Sequence, residues 1–353
     1  MPTFSSATRE PLRGERPYGS GLPASDRPSN LLTQMLAAPR GLSTLATVDI
    51  RLHPEGVITK RSWRAWVRGR PTVAFAGLAF LLSWAAWLPL LAAVQGWVPM
   101  KLWLGLHLLG GLGPAAAALL VVGLTEGRPG LLSLGRRLIA WRGRRRAWAF
   151  ALLVPPLLLA VAAPLSAWAG GGSPAELDWS SFGASAEFAS LPLPLWWIVN
   201  LSFYGIGEEV GWRGFLQPQL ERRHSLVTSA GLVSIPWAMW HLPLLGITPS
   251  YRAMPLVGFL GFAASIWVAS WILAWLSHLG RSSLMVVVVF HAWFDIVTTS
   301  PLGPASLPTF MGVAITVLGL LVLRSLLRQP PTPHTPEAGG PSGETPEIVG
   351  APS

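Results

Sequence analysis

Long apolar runs recur between residues 72 and 326, and they constrain this chain more than any other feature. A helical run of about 20 apolar residues is long enough to cross the hydrocarbon core of a bilayer. Lipid offers the backbone no hydrogen bonds, so a segment at that depth must pair its own N–H and C=O groups, as an α-helix does. Eight runs meet the length rule, at roughly 72–95, 102–124, 147–169, 191–212, 226–246, 255–276, 283–300 and 307–326. The expected fold is therefore all-α, a polytopic transmembrane helix bundle of about eight spans. Only 12% of residues are charged, roughly half the share usual in soluble domains. Several of the 19 tryptophans, among them Trp97, Trp103, Trp148, Trp168 and Trp196, fall near run ends. Amphipathic rings favour the headgroup level there.

The flanks read differently. Residues 1–50 are polar and rich in Ser, Pro and Arg, with too little clustered apolar surface to offset ordering entropy. They are expected to form a disordered tail, without the early apolar core of a signal peptide. Residues 51–70 form a basic juxtamembrane segment, whose interleaved Trp63, Trp66 and Val67 suggest a short helix on an anionic leaflet. Residues 71–328 form the transmembrane domain, and the Pro-, Gly- and Glu-rich stretch 329–353 is expected to be a second disordered tail.

A net charge of +10 does not imply a nucleic-acid partner here, because the arginines cluster in short loops between apolar runs. Arg136, Arg137 and Arg142, the run Arg144 to Arg146, then Arg222, Arg223, Arg324 and Arg328 all fall on one side of an even-numbered bundle. Glu176, Asp178 and Glu187 fall on the other. The positive-inside bias then puts both termini in the cytoplasm. The chain has no cysteine, which excludes thiolate nucleophiles, disulfides and Cys-based zinc sites.

An ionisable side chain at membrane depth costs about 2.5–3.5 kcal/mol on insertion scales, so each one needs a reason. Within the runs these are Glu208, Glu209 and Asp295 with His107, His241 and His291. Glu209 and Arg213 are four residues apart on one helical face and can pair, leaving Glu208, about 100° around, for other work. A helix-end salt bridge with a spare solvated glutamate would use the same residues. Trp237 and His241 are one turn apart and can form one wall of a site, with Pro243 disturbing the helix just beyond. His291 and Asp295 also share a face, either as a self-satisfied pair or as a patch facing a water or a peptide carbonyl. His107 has no patterned neighbours and reads as structural.

In this order the three clusters resemble the CPBP family of intramembrane proteases, which includes type II CAAX prenyl endopeptidases and bacteriocin-processing or self-immunity proteins. The family pattern is Glu-Glu-x-x-x-Arg, then Phe-x-x-x-His, then His-x-x-x-Asn or Asp. Glu208, Glu209 and Arg213 match the first motif; His241 matches the second, with Trp237 in place of Phe; His291 and Asp295 match the third. The resemblance implies peptide-bond hydrolysis by a glutamate-activated water, with no cofactor and no metal. Glu208 would be the general base, worth roughly a hundred- to ten-thousand-fold. His241 would hold the water, and His291 with Asp295 would stabilise the oxyanion. Glu209 and Arg213 would support the site through their ion pair. The implied partners are a membrane-associated protein or peptide substrate and the lipid bilayer.

Two features strain this assignment. An ionised Asp295 would repel an oxyanion, so its better role is to hold His291 in one tautomer, as the carboxylate of a hydrolase triad does. Depth is the second. At about 1.5 Å per residue, a span ending at 212 leaves Glu208 near the basic end, with His291 about 12 Å in and His241 farther still. The three can meet only if the boundaries shift or the helices tilt strongly. Competing readings are a metal-dependent peptidase using Glu208, Glu209, His241 and His291, a non-catalytic scaffold or immunity factor, and a transporter. No His-Glu-x-x-His motif supports the first. No internal repeat supports the last.

Overall fold

A computed structural model describes residues 60–328, apart from positions 142, 253, 255 and 282. The disordered tails expected at 1–50 and 329–353 lie outside the described residues. Every regular element among the described residues is helical. Five helices are long and apolar enough to cross a membrane: Pro71–Val94, Leu104–Thr125, Arg145–Ala169, Gly258–Leu279 within the helix Leu256–Leu279, and Leu307–Leu327. Three more segments complete the bundle: a continuous run over 193–221, the helix Leu226–Trp240 prolonged by a 3-10 turn at Leu242–Gly246, and the shorter helix Leu284–Thr299. The chain is an integral, multi-pass membrane protein.

The long helices are apolar all round, so their outer faces present large side chains such as Leu81, Leu153, Leu157, Val161, Val313 and Leu321. Lipid, not water, is the medium such a surface suits. Their inner faces carry small residues, including Ala74, Ala79 and Ser83 on one helix and Ala147 and Ala151 on another, all buried. Small residues let helices approach closely, and close packing drives association where lipid tails are as apolar as leucine.

Successive segments alternate in direction. Arg68 donates to the Leu124 carbonyl at 3.3 Å, and the Ser283 hydroxyl donates to the Ala140 carbonyl, which gathers the arginine-rich connections at one end. At the other end Gln95 donates to the Gly246 carbonyl at 2.8 Å, and the Asp178 amide to that of Leu302 at 2.9 Å. Two short helices flank the bundle at the basic end. Lys60–Gly69 buries Val67 and stacks Trp63 on Trp66. Gly127–Leu138, within what the sequence suggests is a loop, is amphipathic, with Leu134 buried and Arg128 and Arg136 exposed. Trp97, Trp103 and Trp168 are exposed near helix ends, and Trp196, in the first turn of the helix Leu193–Asn200, is buried and stacked on Phe188.

The run 193–221 positions the site. It is α-helical at Leu193–Asn200, wider π-helix at Leu201–Ile206, α-helical again at Gly207–Gly211, π at Trp212–Leu216 and α at Gln217–Glu221. The expected end at residue 212 is therefore wrong: Gly214 and its successors carry the helix on to Glu221. Glu208 consequently lies near the middle of its helix, not at its basic end. His241 lies past the middle of its own segment, at the junction where the helix stops before Pro243 and the 3-10 turn carries the chain onward. The depth conflict came from that misplaced boundary. Glycines let this run sit against the helix Leu104–Thr125: a Cβ on Gly207 would fall 2.4 Å from the Gly111 carbonyl oxygen, and one on Gly211 2.5 Å from Pro114.

Those approaches predict a stability contrast. Gly211→Ala is expected to lower the thermal midpoint in detergent by an amount equivalent to about 1–3 kcal/mol of overpacking. Gly77→Ala, whose Cβ would meet no heavy atom within 4 Å, should leave the midpoint unchanged. Equal midpoints for the two variants would contradict the packing described.

Candidate active site

Adjacent carboxylates on one helix face different neighbours, and this separates Glu208 from Glu209. Glu209 is fully buried and accepts from Arg213 Nη1 at 3.0 Å, one turn along. The same oxygen, Oε1, accepts from His291 Nδ1 at 2.7 Å. Arg213 is fully buried as well. Its Nη2 donates to the Ser270 hydroxyl at 3.3 Å, which in turn donates to the Ala230 carbonyl at 2.7 Å. Its guanidinium carbon lies 4.1 Å from the centre of the Trp237 ring, a cation–π arrangement that strengthens away from water. The ion pair is thus supported by hydrogen bonds and an aromatic face, while Glu209 Oε2 and Arg213 Nε are buried without a hydrogen-bond partner among the described residues.

Glu208 is buried too but takes no part in that pair. Its Oε2 accepts a hydrogen bond of 2.6 Å from the indole Nε1 of Trp237. Among the described residues it has no other hydrogen-bond or ion-pair partner.

Trp237 also fixes both histidines. Its carbonyl accepts from His241 Nδ1 at 2.8 Å. That bond spends the Nδ1 proton and leaves Nε2 of the neutral ring as an acceptor. The Trp237 ring lies edge-on to His291 with centroids 5.7 Å apart, and 6.3 Å from the His241 ring. Trp240 and Phe262 close the far sides of His241, at 4.9 and 5.5 Å. His291 is within electrostatic reach of both Glu208 and His241. The structure therefore brings Glu208, His241 and His291 together around one tryptophan.

Asp295 sits at the edge of this group. Its Oδ2 is 3.5 Å from His291 Nε2, too long for a strong hydrogen bond, and its side chain is 31% exposed where those of Glu209 and Arg213 are at zero. The shorter contact to His291 is that of Glu209 on the opposite ring nitrogen, 2.7 Å at Nδ1 against 3.5 Å for Asp295 at Nε2. Sequence reasoning missed this because residues 209 and 291 lie on different helices. It also missed Ser270, which belongs to no motif. His107 stands apart, with Nδ1 on the Leu104 carbonyl at 2.9 Å and Nε2 on the Tyr204 hydroxyl at 2.8 Å, a histidine satisfied within the bundle. Among the described residues no three His, Asp or Glu side chains are grouped to hold a metal ion.

Comparison with known proteins points the same way. Residues 190–297, which hold every motif residue named above, match the family of type II CAAX prenyl endopeptidases, Rce1-like. A CAAX prenyl protease 2 from Methanococcus maripaludis is 30% identical over 126 residues, 34% of this chain and 44% of that protein. The match thus spans less than half the length of that relative.

The buried pair predicts non-additive stability. Arg213→Met leaves the Glu209 charge uncompensated and is expected to cost about 3–5 kcal/mol, read as a large fall in thermal midpoint or folded yield. Adding Glu209→Gln to that variant should recover a substantial part of the loss. Additive losses in the double variant would contradict the pairing.

Proposed function

We propose, from the match of residues 190–297 to the type II CAAX prenyl endopeptidases, that the chain is a member of that family and an intramembrane endopeptidase in which Glu208 activates the hydrolytic water. The observation that carries this reading is the division of labour between the two glutamates. Glu209 is paired with the Arg213 cation and tied to His291 through Oε1, and its Oε2 is buried without a hydrogen-bond partner among the described residues, whereas Glu208 pairs with no cation there and is held only by the Trp237 indole, which leaves its carboxylate for proton chemistry.

The steps follow from these donors and acceptors. A water between Glu208 and His241 gives one proton to the Glu208 carboxylate and a hydrogen bond to His241 Nε2. Its oxygen attacks the carbonyl carbon of the scissile bond, and the carbonyl electron pair moves onto oxygen. His291, aimed by Glu209 through Nδ1, presents Nε2 to that oxyanion; a proton there stabilises it. Collapse restores the carbonyl and breaks the C–N bond, and the proton held on Glu208 passes to the departing amine. No covalent enzyme intermediate is needed. General-base assistance and one oxyanion donor each contribute on the order of a hundredfold or more.

The substrate is a membrane-associated protein or peptide. The apolar outer faces of the long helices, which suit lipid, support approach from within the bilayer. The arginine-rich end of the bundle and both termini are assigned to the cytoplasm by the positive-inside bias.

Glu208→Gln keeps the size and the hydrogen bond to Trp237 but removes the base. It is expected to lower cleavage by about a hundred- to ten-thousand-fold without shifting the thermal midpoint. Asp295→Asn should retain activity to within about tenfold, because Glu209 rather than Asp295 orients His291. Comparison of membrane-peptide termini between cells carrying wild type and Glu208→Gln reveals the substrates. Identical termini under several growth conditions would overturn the protease reading.

A further inference from the structure

Proline has no N–H, and Pro218 stands one turn beyond the residue that supports Glu209. In an α-turn its nitrogen would pair with the carbonyl of Gly214, and in a π-turn with that of Arg213. The winding here is π, and the Gln217 amide donates to the Trp212 carbonyl. Pro218 therefore withholds the one donor that these carbonyls would otherwise take, at the very turn that carries Arg213. A buried carbonyl needs a partner from elsewhere.

Arg137 supplies it. Its Nη1 donates to the Gly214 carbonyl at 2.9 Å and its Nη2 to the Arg213 carbonyl at 3.3 Å. Arg137 lies at the end of the amphipathic helix Gly127–Leu138, outside the span of residues 190–297. That helix is seated on the same turn: Leu134 is buried, and its Cδ1 would lie 3.0 Å from a Cβ built on Gly214. Glu221, which takes Gln217 Nε2 at 2.7 Å and His278 Nε2 at 2.9 Å, adds a negative charge facing the Arg137 guanidinium. The consequence reaches far. Arg137 holds the backbone of Arg213, the Arg213 side chain holds Glu209, and Glu209 holds His291.

We infer that Arg137 is a positioning residue, whose guanidinium replaces the donor that Pro218 withholds and fixes the turn on which Arg213, Glu209 and His291 depend. Its kinetic consequence rests on the proposed protease reading; its structural consequence does not. The test is a suppressor experiment on the full chain in detergent micelles or nanodiscs. Arg137→Met is expected to accelerate amide hydrogen exchange over residues 209–217 by about tenfold or more. Its kcat should fall by a similar factor with KM within about twofold. Arg137→Lys, which keeps charge and donors but not the planar fork, should fall between. Adding Pro218→Ala to Arg137→Met returns a backbone N–H to the turn and should restore both slow exchange and kcat. Unchanged exchange in Arg137→Met would overturn the inference, as would fast exchange persisting in Arg137→Met/Pro218→Ala. A wild-type protein that cleaves nothing would count against the protease reading alone, and exchange would still decide the role of Arg137.

Discussion

The hydrogen bond from the Trp237 indole to Glu208 is the contact around which the rest of the site is arranged. The same residue accepts the His241 proton on its carbonyl, presents a ring edge to His291 and offers its face to Arg213. One side chain thereby ties three helices together at mid-depth. A phenylalanine at this position could keep the aromatic contacts but could not donate to a carboxylate. Trp237 therefore holds the Glu208 carboxylate by a directional bond where packing alone would leave it free to rotate.

Lipid dictates the surrounding construction. Because the bilayer cannot satisfy polar groups, every ionisable residue in the core must find its partner within the bundle. Glu209 and Arg213 do so through a pair closed by Ser270 and the Trp237 face. Burying such a pair stabilises little, since desolvation offsets most of the Coulombic attraction. Its effect is geometric: it ties one carboxylate to Arg213 and His291 and leaves its neighbour unpaired with any cation among the described residues. The π-helical windings on either side of Gly207–Gly211 belong to the same design. Such windings leave carbonyls to be satisfied from outside the helix and recur at functional sites.

Much of this was legible in the sequence. Apolar runs of bilayer length gave the all-helical, multi-pass fold, and the beginnings of most helices fell within a few residues of their expected places. The i, i+4 spacing of Glu209 and Arg213 implied their pair, and Pro243 implied the end of the helix at His241. What failed did so for physical reasons. Span four was cut at residue 212 because hydropathy falls at Arg213, yet an arginine neutralised inside the bundle does not end a helix. Position along a run says nothing about which face a residue occupies, so the burial of Trp196 against Phe188 was not legible. The grip of Glu209 on His291, and of Arg137 on the turn after Arg213, join segments far apart in the chain. No local periodicity reports such contacts.

The central claim is that position 208 and the imidazoles of His241 and His291 face one small space. The absence of native cysteine permits a direct measurement. Glu208→Cys introduces a single thiol, and a thiolate with one or two imidazoles binds a soft divalent cation such as Cd²⁺. The rate of maleimide labelling of that thiol should then fall on adding Cd²⁺, and the protection should be lost when both His241 and His291 are replaced by alanine. Labelling indifferent to Cd²⁺, or protection that survives loss of both histidines, would contradict the account.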